Sequence, residues 1–76
     1  MKDVLERIAR ALVDRPDEVE VTELEADGGV LYELRVARED LGKVIGRQGR
    51  TARAIRAIVA AAGEKRRKRI GFEIIE

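Results

Sequence analysis

Four consecutive residues near the middle of the chain, Gly46-Arg47-Gln48-Gly49, hold the most specific chemistry in the sequence. Two glycines let another backbone approach where a Cβ would interfere. Apolar residues at helical spacing resume after Gly49, so a helix starts there, and its free N–H groups and roughly half a unit of positive charge point toward the same spot. Lys43, Arg47, Arg50 and Arg53 surround the loop with mobile cations. Together these features suit non-covalent binding of a phosphate backbone. A second concentration of charge, Lys65-Arg66-Arg67-Lys68-Arg69, occupies the segment from Gly63 to Arg69 and suits the same ligand. Taken alone, each pattern has a plainer reading: a glycine pair is a common turn between packed helices, and a basic run is commonly a solvated surface.

The rest of the composition narrows the field. The chain has 76 residues, the size of one small domain, with 45% hydrophobic and 41% charged residues but only 3% aromatic, which implies an aliphatic core under a charged surface. It has no histidine and no cysteine, which excludes imidazole bases, thiol nucleophiles, disulfide frameworks and zinc fingers. No catalytic residue, metal ligand or cofactor site is expected. The cluster Asp17, Glu18, Glu20, Glu23, Glu25 and Asp27 reads as a solvated face that repels polyanions. The net charge of +1 conceals an asymmetry: residues 1–34 carry 4 basic and 10 acidic side chains, and residues 35–76 carry 12 and 5. A polyanionic partner for one face follows from that division. The charged N-terminus and the lack of a long apolar run predict a cytoplasmic protein without a membrane anchor.

The elements that must position the loop are readable from periodicity. Val4, Leu5, Ile8, Leu12 and Val13 predict an amphipathic helix over 2–14, which Pro16 prevents from continuing. Alternation predicts strands over 19–26 and 30–37, joined by a tight turn at Asp27-Gly28-Gly29, and the phase slip from Val21 to Leu24 is the pattern of a bulge. Glu39 and Asp40 suit the N-terminus of a short helix bearing Leu41, Val44 and Ile45, which Gly46 ends. A longer helix follows with Ile55, Ile58, Val59 and Ala62 on one side, and Gly63 as its C-cap. Residues 70–75 form a last strand with Ile70, Phe72 and Ile74 in phase. The order is αββααβ, an α+β domain in two layers with a three-stranded sheet and three helices on one face. Glu20, Glu33, Arg35 and Glu73 fall on the other face, and Tyr32 and Phe72 in the core.

With this order in place, Val44-Ile45-Gly46-Arg47-Gln48-Gly49 followed by Ile55 resembles the signature of the K-homology (KH) domain. The additional helix and strand ahead of the core give the type II arrangement. End to end, including LVDRPDEVEV and DLGKVIGRQGRTARAIRAIV, the sequence is similar to the small bacterial single-KH proteins of the KhpA type. That resemblance implies a single KH domain over 1–76 with a mixed sheet, and a cleft for about four nucleotides of single-stranded RNA or DNA. Gly46, Arg47, Gln48 and Gly49 would be the backbone clamp, and Val44, Ile45 and Ala52 part of the apolar platform. Lys65, Arg66, Arg67 and Lys68 would sit in the loop before the last strand, near the other wall of the cleft. The resemblance also implies a homodimer, or a heterodimer with a larger KH-containing protein, and a role as RNA chaperone or post-transcriptional regulator. A protein–protein adapter on the same fold, and a ribosome assembly or processing factor, are the rival roles.

Overall fold

The computed structural model describes residues 1–76, the side chain of Ala26 excepted. Helix α1 (Lys2–Leu12) turns Leu5 and Ala9 inward. It stops two residues short of the predicted end, and the reason lies elsewhere in the chain. Asp40, 1% exposed, accepts hydrogen bonds from the backbone N–H groups of Asp14 and Arg15 at 3.2 and 3.1 Å. Those amides are therefore committed to a carboxylate and not to a further helical turn, and Val13 is already extended. The sequence reading assigned Asp40 to the following helix N-terminus, but its side chain makes no cap hydrogen bond there. A short 3-10 turn at Pro16–Glu18 then leads into the sheet.

The sheet has the order β1-β2-β3, with β1 (Glu20–Ala26) antiparallel to β2 (Gly29–Arg35) and β2 parallel to β3 (Arg69–Ile75). The mixed sheet is as expected. The bulge is not present: pairing runs without interruption from Glu20↔Arg35 to Ala26↔Gly29. Leu24 is thereby placed opposite Leu31 on the open face and is 42% exposed, and the slip in its apolar phase is an exposed leucine, not a bulge. The hairpin turn is only Asp27-Gly28, with Gly28 at φ +73° supplying the conformation other residues resist. Val36 and Ala37 lie beyond β2 yet remain buried.

All three helices cover one face of the sheet. Leu5 and Ala9 of α1, Val44 of α2 (Leu41–Ile45), and Ile55 and Val59 of α3 (Arg50–Arg66) meet Val21, Tyr32, Leu34 and Phe72 in a single core. Leu34, 1% exposed at the centre of the sheet, would cost about 2–5 kcal/mol if truncated to alanine. Tyr32 and Phe72 are core residues, 6% and 5% exposed, as their strand phase predicts.

The predicted stop of α3 at Gly63 is incorrect. The helix continues to Arg66, and Arg67 takes the left-handed conformation at φ +55°, with Lys68 N–H bonded to the Gly63 carbonyl and Arg67 N–H to that of Glu64. Position 63 is a glycine for a different reason: a Cβ there would come within 2.6 Å of the Lys68 carbonyl oxygen as the chain folds back into β3.

Candidate nucleic-acid interface

The chain passes from α2 into α3 through a turn at Arg47–Gly49. Its two glycines do different work. Gly46, at φ +80° and ψ 169°, sits in a region essentially closed to other residues, and a Cβ on it would lie 2.2 Å from Thr51 Oγ1. That close approach seats the loop on the first turn of α3. Gly49, at φ +74°, would place a Cβ in open space, so no neighbour fills the room over it, while its own N–H closes the turn on the Gly46 carbonyl at 3.1 Å. Between them Gln48 is also left-handed, at φ 57°, and its carbonyl accepts a 2.9 Å hydrogen bond from Arg53 Nη2. Arg50 Nη2 reaches the Gln48 side-chain oxygen at 3.3 Å. The loop is thus held in shape by arginines of the helix it precedes.

Beside it runs a groove between α3 and the C-terminal half of β3. Ile45, Ala52 and Ile74 give it an apolar floor, Arg53 and Arg56 a cationic wall, and Gly49 an open end, while Glu76 is its one acidic lining residue. Arg56 Nε donates to the Phe72 carbonyl on the free edge of β3 at 3.4 Å. The spacing of 49, 52, 53 and 56 along α3 puts these residues on one helical face. Cations along that face beside an apolar floor suit a ligand that carries both negative charge and apolar surface.

The family model described as KhpA/KhpB, KH domain, matches residues 2–74. The chain belongs to this family. Proteins named "RNA-binding protein KhpA" are similar over essentially the full length. That of Clostridium acetobutylicum is 55% identical over 99% of this chain and all of its own. That of Aquifex aeolicus is 53% identical over all of this chain and 96% of its own. That of Listeria monocytogenes is 47% identical over the whole of both. No solved structure gave a significant match.

Within this KH fold the residues singled out in the sequence separate into three groups. Ile45, Gln48, Gly49, Ala52 and Arg53 line the groove, and Arg47 and Arg50 are exposed beside it. Val44 does not belong to the platform: it is fully buried in the core, where it fixes α2 from beneath. Gly46 shapes the loop. Lys43 is drawn away, its ammonium paired with the carboxylates of Asp14 and Asp40. That pairing raises the Lys43 pKa, chiefly through the hydrogen bond to Asp14.

The third group is the basic run, and here the expected geometry needs correction. It is not a loop: Lys65 and Arg66 complete α3, Arg67 and Lys68 form the turn, and Arg69 opens β3. The 16-residue step from Arg50 to Arg66 places it about 24 Å from the GRQG end. Parallel pairing sets Arg69 against Gly29, so the run lies beside the acidic hairpin. Arg66 and Lys68 share one depression with Glu23, and Lys68 shares another with Glu25. A further depression, lined by Ala60, Glu64, Lys68 and Arg69, follows the same α3–β3 seam. Arg56 went unnoticed in the sequence, although it completes the helical spacing of 49, 52 and 53, and Ile74 reads there only as an in-phase residue of the last strand.

Asp40, which the sequence placed only at a helix N-terminus, instead binds the chain beyond α1. Burial works against its ionisation, but the two amides and Lys43 outweigh that and hold its pKa below the usual carboxylate value. It ties the end of α1 to the start of α2, and so supports the loop indirectly. Among the described residues no helix is long and apolar enough to cross a membrane.

Proposed function

We propose that this protein binds single-stranded RNA non-covalently, with the backbone at the Gly46–Gly49 turn and the bases over Ile45, Ala52 and Ile74. The observation that carries the reading is the open space over Gly49 at the head of a 17-residue helix, flanked by Arg47, Arg50, Arg53 and Arg56 over an apolar groove. The relatives' name, RNA-binding protein, supports the same ligand. A length of about four nucleotides follows from the KH resemblance. The groove has no aromatic side chain for stacking, worth about 1–3 kcal/mol per base, so affinity is weak and sequence preference loose. Lys65 to Lys68 contribute a weaker, longer-range attraction at the far end of the seam.

The direct test is the double substitution Arg47→Asp/Gln48→Asp. Both side chains are exposed, aspartate tolerates the left-handed conformation, and the Gln48 carbonyl bonded by Arg53 is retained. The variant is expected to melt like the parent and to lose at least about tenfold in affinity for single-stranded RNA. Unchanged affinity would refute the clamp.

A role as cytoplasmic RNA chaperone or post-transcriptional regulator belongs to this proposal, as does pairing with itself or with a larger KH-containing protein. Ile58, 48% exposed on the outer side of α3, is an apolar side chain available for such a contact. Two weak clefts joined in a dimer would gain avidity through effective concentration. Sedimentation of the protein and of Ile58→Glu checks this: a parent dimer that the substitution dissociates supports it, and a monomeric parent refutes self-pairing.

A further inference from the structure

We infer that the RNA path extends beyond the GRQG groove, over the C-terminal ends of β2 and β3, onto a second groove flanked by Arg35 and Arg38. This inference rests on the RNA-binding reading and adds a subsite to it. The second groove is as roomy as the first, 460 against 470 Å³, and the two meet at Glu76, which lines both. Val36, Leu41 and Ile75 supply an aliphatic floor, with Val36 8% exposed and the other two half-buried.

The two arginines are exposed and form no ion pair among the described residues. The carboxylates nearest in the sequence and register do not neutralise them. Glu39, beside Arg38, is paired to Arg15 at 3.2 Å, and Glu20, which stands opposite Arg35 across the β1–β2 ladder, makes no salt bridge to it. Glu76 is the acid that a passing phosphate must tolerate. Two free guanidiniums above an apolar floor can take a phosphate between them while a base or ribose covers the aliphatic surface. The other end of the α3–β3 seam is less suited to an added nucleotide, because Glu23, Glu25 and Glu64 line its depressions together with the basic run. Directional growth of the site toward Arg35 and Arg38 follows.

The test uses the full chain with fluorescein-labelled RNAs of random sequence, four and eight nucleotides long, and the variants Arg35→Ala/Arg38→Ala and Arg35→Lys/Arg38→Lys. The gain from the greater number of registers on the octamer is the same for every protein, so the quantity read is the octamer-to-tetramer affinity ratio. In the alanine variant this ratio is expected to fall roughly fivefold with tetramer affinity retained. Its octamer salt slope should become shallower by about 0.7, the value for one phosphate, and lysines should restore most of both. An unchanged ratio would overturn the inference. So would an equal loss for both RNAs, which would indicate a diffuse field in place of a subsite. Failure of the parent to bind either RNA would instead overturn the RNA-binding reading itself.

Discussion

Helix α3 ends in cations on both sides, and the two ends are built differently. At its N-terminal end four arginines, spaced along one helical face and its approach, surround an open glycine and an apolar groove with a single acidic neighbour. At its C-terminal end five consecutive cations are spent on finishing a helix, turning the chain and starting a strand, with hairpin glutamates close by. The denser charge is therefore the less available one. Affinity for a polyanion depends on how cations are presented around a surface the ligand can reach, and less on how many adjoin in sequence.

The sharpest way to break the comparison is at the glycines. Gly46→Ala must relieve both a φ/ψ reserved for glycine and a 2.2 Å approach to Thr51, and should cost about 3 kcal/mol or more. For a domain of this size that lowers Tm by well over 10 °C. Gly49→Ala meets no steric obstacle and should cost only about 1 kcal/mol, while losing RNA affinity severalfold by filling the open space over the turn. Thermal melts and fluorescence anisotropy on both variants separate the glycine that builds the loop from the one that offers it.

Asp40→Asn probes what holds the GRQG end in place. Because the folded-state pKa of Asp40 is depressed, its contribution is present at neutral pH and is lost as pH falls through that value, below about 4. The variant should melt several degrees lower than the parent at pH 7, and the gap should narrow progressively on acidification below about pH 4. A gap independent of pH would mean that packing, not the carboxylate's hydrogen bonds, carries the effect.

Smaller effects are expected at the other end. Arg67 occupies a left-handed position where glycine is favoured, so Arg67→Gly should raise stability by about 0.5–1 kcal/mol. RNA affinity should change less than about twofold, since one exposed cation among acids is removed. A large loss of binding would promote the basic run to a principal contact.

Much of the architecture was legible in the sequence because each element carried its own signal: helical spacing in Leu5, Ile8 and Leu12, alternation in Tyr32, Leu34 and Val36, and glycines where the chain turns. The order αββααβ and the KH resemblance then located the loop. What sequence concealed was long-range. Nothing local shows that Asp40 accepts the amides of residues 14 and 15, or that Gly63 is small because Lys68 returns over it. Likewise Lys43, a cation beside the loop in sequence, is turned to acids, and Val44 of the family motif faces the core. The placement of the basic run beside acidic β1 depends on the register of β3 with β2, which no run of charges reveals.

The claim that binding resides at the GRQG end is tested most directly by reversing charge at each end separately. Arg47→Asp/Gln48→Asp and Lys65→Glu/Arg67→Glu would be titrated against the same single-stranded RNA, with melting curves confirming that both are folded. The account predicts at least a tenfold loss for the first and no more than about threefold for the second. Equal losses, or a greater loss from the Lys65/Arg67 variant, would contradict it.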